Sequence, residues 1–135
     1  MAVLLDTGIL YAYYDRSDVW HKRAVGLLTA EEGGLVVPSP VVPEVDHLLG
    51  LRLGRKARMI FYRGLIEGYY FVADLPRESY ARVGELNRRF AELDLGFVDA
   101  AVVAIAESLD MSRIATTDRR DFEPLARALS LEILP

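Results

Sequence analysis

Four carboxylates recur at one kind of position in this chain. Asp6 closes the apolar run "AVLL", Glu44 follows the prolines of "PSPVVP", Asp99 heads the run "FVDAAVVAIA", and Asp118 ends "RIATT". Asp121 comes three residues after Asp118. Singly, each has a plain structural role: Asp6 and Asp118 are favoured helix caps, Asp99 complements a helix dipole, and Glu44 is an ordinary surface glutamate. Jointly they conflict, because carboxylates crowded at one place repel and push one another toward protonation. A bound cation removes the conflict, and hard oxygen ligands select Mg²⁺ or Mn²⁺ over zinc. Mg²⁺ takes one or two carboxylates and accepts phosphate oxygens among its other ligands. With no cysteine and two histidines, such a set points to phosphoryl chemistry.

The acids meet only if the intervening elements bring them to one edge. Short β-type runs ("AVLL", "LVV", "YYFVADL", "RIATT", "LEIL") alternate with longer helical ones. "GILYAYYD" and "SDVWHKRAVGLLTAEE" read as helices, the second capped by Ser17 or Asp18 and presenting Val19, Trp20, Ala24, Leu27 and Leu28 on one face. "PSPVVPEVDHLLGLRLG", "RKARMIFYRGLIEG", "RESYARVGELNRRFAELD" and "DFEPLARAL" read as further helices, and "GFVDAAVVAIAESLD" as one apolar all round and therefore buried. Strands separated by helices predict an α/β protein: a three-layer α/β/α sandwich with a central, mostly parallel sheet. Ligands bind such sheets beyond the carboxyl ends of the strands, where all these acids are expected.

The 135 residues predict a single domain, 1–135, without internal repeats or linkers. The absence of cysteine excludes disulfides and thiolate metal sites. Asp6 interrupts the first apolar run and no basic segment precedes it, so no signal peptide is expected. No membrane span is expected either, and the predicted location is cytoplasmic. The net charge of −4 excludes a protein that coats nucleic acid with positive charge alone. A nucleic-acid role must rest on a local basic patch or on metal ions.

"VLLDTGILYAY", "PSPVVPEVDHLL", "LGFVDAAVVAIAESL" and "RIATTDRRDF" resemble, in order, the motifs of PIN domains, most closely the VapC-like toxins of type II toxin–antitoxin pairs. The resemblance spans nearly the whole chain and implies an Mg²⁺- or Mn²⁺-dependent endoribonuclease. It implies that Asp6, Glu44, Asp99 and Asp118 form the acidic pocket, with Asp6 and Asp99 the direct metal ligands. It also implies that Thr117 or Thr116 orients a carboxylate or a water. The family places its fourth acid either after the threonine or at the later "DF", and this chain has both; Asp118 is favoured, Asp121 being explicable by the helix dipole. The metal would acidify water and offset charge on the scissile phosphate. The further implied partners are an RNA substrate, a cognate antitoxin segment laid into an apolar groove, and a second copy of the chain in a homodimer.

The run "RLGRKARMIFYR" is the densest basic segment and supplies Arg52, Arg55, Lys56, Arg58 and Arg63. Arg52, Arg55, Lys56 and Arg119 are candidate phosphate-backbone contacts, against a solvated helix face for the run and local ion pairing for Arg119. His21 and His47 show no spacing that supports acid–base cleavage by a histidine pair. The tyrosine-rich tracts could stack bases but fit core or subunit packing better. A Mg²⁺-dependent phosphatase is the weaker enzymatic alternative: its second aspartate would stand at Gly8. A catalytically silent PIN-like binding protein is the non-enzymatic one, and the intact acid set argues against it.

Overall fold

The computed structural model describes residues 2–135. Its elements, in chain order, are β1 (Val3–Leu5), α1 (Thr7–Tyr14), α2 (His21–Ala30), β2 (Leu35–Pro38), α3 (Val41–Arg52), α4 (Arg55–Ile66), β3 (Phe71–Ala73), α5 (Tyr80–Arg89), α6 (Gly96–Ser108), β4 (Arg113–Ala115), α7 (Arg119–Leu129) and β5 (Glu132–Leu134). Single 3₁₀ turns flank α5 at Arg77–Ser79 and Ala91–Leu93.

The strands form one sheet in the order β3-β2-β1-β4-β5, and every neighbouring pair is parallel. Each connection is then a crossover, and the right-handed rule assigns α1–α4 to one face and α5–α7 to the other. The helix contacts agree: α1 packs on α2 and α3, α3 on α4, and α5 on α6. The three-layer parallel α/β expectation is borne out. Strand β1 is the centre, with Leu4 facing Val36 on one side and Ile114 on the other. All three β1 residues are fully buried, as a strand covered on both faces requires. Chain order reverses between β1 and β4, so the switch point where such sheets bind ligands lies there.

Helix α6 is buried without interruption from Ala100 to Ala106, as its unbroken apolarity predicts. The aromatic tracts are largely interior: Tyr11, Phe61 and Tyr70 are buried, and the hydroxyls of Tyr14 and Tyr70 share a 2.6 Å hydrogen bond.

Three local expectations are corrected. Helix α2 starts at His21, not at Ser17 or Asp18; Asp18 instead accepts from the Trp20 backbone N–H at 2.8 Å, forming a turn ahead of the helix. Val19 is therefore off the helical face and 85% exposed, while Ala24 and Leu28 are buried. Strand β3 is shorter than "YYFVADL", because Gly68 at φ +78° closes α4 and the Tyr69 N–H bonds back to the Gly64 carbonyl. Helix α7 begins at Arg119 rather than Asp121, with Asp118 as its N-cap and Asp121 still within its first turn.

Candidate active site

Each acid is placed by the end of a strand or the first turn of a helix. Asp6 follows β1 and stands at the N-cap position of α1 without a side-chain capping bond. Its backbone N–H extends the ladder to Ala115 at 2.9 Å, and its carboxylate turns inward, 5% exposed. There Thr116 Oγ1, fully buried, donates to Asp6 Oδ2 at 2.8 Å and accepts from the Asp118 N–H at 2.9 Å. One hydroxyl ties the ends of β1 and β4 together across the switch point. Of the two threonines, it is Thr116 that hydrogen-bonds a carboxylate. Thr117 packs instead on Gly8, where an added Cβ would meet its Oγ1 at 2.1 Å. Gly8 allows α1 to approach the end of β4 this closely, a role its sequence position alone did not signal.

Glu44 and Asp99 lie in the first turns of α3 and α6, where helix dipoles favour negative charge. Glu44 is exposed and accepts from Thr7 Oγ1 at 2.5 Å, which fixes it beside Asp6. Asp118 is the true N-cap of α7, its Oδ1 accepting from the Asp121 N–H at 3.1 Å. That cap sets Asp121 on the same side of the helix start. One carboxylate oxygen each from Asp99, Asp118 and Asp121 lie within 4.8 Å of one another. Asp6 and Glu44 stand outside this trio but close enough for their charges to act on it.

The electrostatics follow from that crowding. Burial, and then the charges of Asp6, Asp118, Asp121 and Glu44, push the Asp99 carboxyl up to about 7. Burial also raises Asp6, to about 6, although the Thr116 hydroxyl and Thr7 backbone N–H offset part of it and Glu44 and Asp118 add to it. Asp121 is raised by burial and by Asp118. Its buried Oδ1 has no hydrogen-bond partner, and the nearest cationic group, Arg120 Nε, is 4.0 Å away. A buried carboxylate oxygen left unpaired is costly. A small cation among Asp99, Asp118 and Asp121 would satisfy it, and an all-oxygen donor set fits Mg²⁺ or Mn²⁺.

The basic candidates separate. Arg58 is bound to Asp46 through two hydrogen bonds, of 2.9 and 2.7 Å, and serves the α3–α4 contact. Arg119 donates to the Pro135 carbonyl and pairs with Glu123 at 3.5 Å, so it is committed to its own chain. The Arg52 guanidinium lies 5.1 Å from the Tyr11 ring centroid. Arg55 and Lys56, in the first turn of α4, are exposed and have no ion pair among the described residues. His21 is held by the Ala12 carbonyl at 2.8 Å, which leaves no basis for a histidine pair.

The sequence matches the PIN domain family over residues 3–128. The chain belongs to the PIN domain family. It is a homologue of Ribonuclease VapC26 of Mycobacterium tuberculosis, 28% identical over 123 residues that cover 91% of each chain. Among solved structures it is similar to M. tuberculosis VapC20, described as a Sarcin-Ricin loop cleaving toxin, with TM-score 0.85 and 22% identity over 99% of this chain and 100% of that one. It is also similar to DNA-bound VapBC from Salmonella typhimurium, with TM-score 0.73 and 16% identity over 98% and 96% of the two chains. The VapC-like resemblance and the α/β fold it implied are borne out, and the likeness to a VapC ribonuclease agrees with the hydrolase reading of the acids. No helix among the described residues is long and apolar enough to cross a membrane.

Proposed function

We propose that this PIN-domain protein is a Mg²⁺- or Mn²⁺-dependent endoribonuclease and the toxin of a toxin–antitoxin pair. The observation that carries the metal dependence is the trio of Asp99, Asp118 and Asp121, with oxygens within 4.8 Å and one buried oxygen unpaired. Asp99 belongs both to this trio and to the Asp6–Asp99 pair inferred from the motifs, so it is assigned the direct contact to the ion. Asp118 and Asp121 complete the cradle. Asp6, pinned by Thr116, and Glu44, pinned by Thr7, hold the remaining negative charge in place. A divalent cation bound there would supply acidified water and offset charge on the scissile phosphate.

The protein's own groups accomplish the rest by position. The hydrogen bonds of Thr7 and Thr116 lock two carboxylates before substrate arrives, so little reorganisation is needed during reaction. Arg55 and Lys56, exposed and without an ion pair among the described residues, would hold the RNA backbone. The VapBC likeness supports a cognate antitoxin as the partner, and a homodimer and a cytoplasmic location are part of the same reading.

The test is incubation of the purified protein with a mixed RNA pool in Mg²⁺, in Mn²⁺ and in EDTA, with product ends mapped. Metal-dependent cuts that leave 5′-phosphates, absent in Asp99→Asn, are expected. Equal cleavage in EDTA would remove the metal from the account, and no cleavage under any condition would remove the nuclease.

A further inference from the structure

The side of α3 that carries Glu44 also carries His47, one helical turn on, and residues at this spacing are neighbours on a helix surface. Between them and α1 the surface sinks into a hollow of about 250 Å³ lined by Thr7, Glu44, His47 and Leu48. Two of these residues, Thr7 and Glu44, are hydrogen-bonded to each other at the rim of the acidic site. The other two give the hollow an aliphatic wall and an imidazole. His47 is exposed and makes no hydrogen bond or ion pair among the described residues, unlike His21, whose ring is engaged by a backbone carbonyl. Its neighbour Asp46 is occupied by Arg58 and Tyr62, so the imidazole is not needed to satisfy it.

We propose that this hollow seats a nucleobase adjoining the scissile phosphate, with His47 as a specificity-determining contact. The inference rests on the ribonuclease reading and adds a substrate subsite to it. The occupant follows from three properties of the hollow. Its wall includes Glu44 and Thr7, at the rim of the acidic site, so a group seated in it lies beside the place where the phosphate would be cut. Leu48 offers an apolar surface to a flat ring. The free imidazole offers both a π-face for stacking and ring nitrogens for a base edge, which is how single-stranded RNA is read. The negative charge of Glu44 beside it disfavours a second phosphate in the same place, which leaves the base as the part of a nucleotide that fits.

The experiment is a ¹³C–¹H NMR titration of labelled protein in Mg²⁺ with the nucleoside 5′-monophosphates, and with ribose 5-phosphate as the base-free control. At least one nucleotide is expected to shift the His47 ring and Leu48 methyl signals, with ribose 5-phosphate leaving them in place. Signals that stay fixed with every nucleotide, or that move equally with ribose 5-phosphate, overturn the subsite. In parallel, His47→Ala should lower cleavage at the preferred RNA sequence by about 5- to 150-fold, the range for losing one base stack, and flatten the sequence bias of the cuts. His47→Phe, which retains a stacking face, should recover most of the rate. An unchanged cut distribution in His47→Ala also overturns the subsite. Absence of any RNA cleavage would overturn the ribonuclease reading instead, and the titration still decides whether a base occupies the hollow.

Discussion

Thr116 Oγ1 donates to Asp6 Oδ2 at 2.8 Å, joining two residues that are 110 positions apart in sequence. The contact is buried and lies between the central strand and its neighbour, so it serves fold and site together. Thr116→Val keeps the shape and removes the hydroxyl. It should cost about 1–3 kcal/mol of unfolding free energy, the penalty for a buried acceptor left unpaired, while Thr116→Ser should cost less. Urea unfolding at neutral pH measures both. An unaltered midpoint for Thr116→Val would show that the bond does not stabilise the fold.

The raised carboxyls make stability depend on pH in a direction opposite to ordinary acid denaturation. Asp6 and Asp99 move from 3.8 when unfolded to about 6 and about 7 in the folded protein. The folded state therefore binds more protons than the unfolded state between these values. Their stabilising contribution is full below about pH 4 and is lost as pH rises through about 6 and 7. Asp46 has the reverse sign, but it is lowered to about 2, so its contribution is lost only at lower pH. Without divalent metal, the melting temperature should fall from pH 5 to pH 8. A rise over that interval would contradict the crowded, proton-binding cluster.

Metal and substitution should act on that same repulsion. Mg²⁺ should raise the melting temperature more at pH 8 than at pH 5, because at pH 5 it competes with protons. Asp99→Asn removes the charge most strongly opposed by its neighbours. It should leave the metal-free protein at least as stable at pH 8, abolish the Mg²⁺-induced stabilisation, and lower RNA cleavage by at least about 100-fold, the upper end of the loss for even an indirect metal partner. Calorimetry with and without Mg²⁺, beside cleavage rates, checks all three.

What the sequence revealed, and what it withheld, divides along physical lines. The strand–helix alternation and the unbroken apolarity of α6 are local patterns, and they placed the acids at one sheet edge. The choice between Thr116 and Thr117 was not legible, because successive residues leaving a strand point to opposite faces and a one-residue shift exchanges them. Asp121 reads as complementing the helix dipole and does lie in the first turn of α7. Its approach to Asp99, however, joins two distant segments and no local pattern encodes it. With the helix starting at Arg119 and capped by Asp118, Asp121 falls beside Asp99. The hollow at His47 depends on the packing of α1 against α3, a contact between distant segments that no local pattern encodes.

Gly8 and Thr117 form a pair whose coupling can be measured. Gly8→Ala places a Cβ 2.1 Å from Thr117 Oγ1, a clash that the threonine relieves only by leaving its rotamer. The single change should cost about 1–3 kcal/mol, as overpacking typically does, and should slow cleavage by displacing the start of α1 that carries Thr7. Combining it with Thr117→Ala removes the clashing hydroxyl and should recover most of both losses. A double variant no better than Gly8→Ala would place the strain elsewhere.

Arg55 and Lys56 are exposed and have no ion pair among the described residues, and they lie in the first turn of α4, where cations do not complement the helix dipole. Their position is thus locally unfavourable and is compensated if they meet an anionic partner. If each neutralises one phosphate, replacing both with glutamine should weaken binding of single-stranded RNA evenly across sequences. It should also reduce the slope of log affinity against log salt by about 1.4, from about 0.7 per contact. Fluorescence anisotropy over a salt series reads the slope, with the cleavage-inactive Asp99→Asn background keeping the RNA intact. An unchanged slope would return both side chains to the solvated face of α4 and move the search for backbone contacts to Arg52 and Arg120.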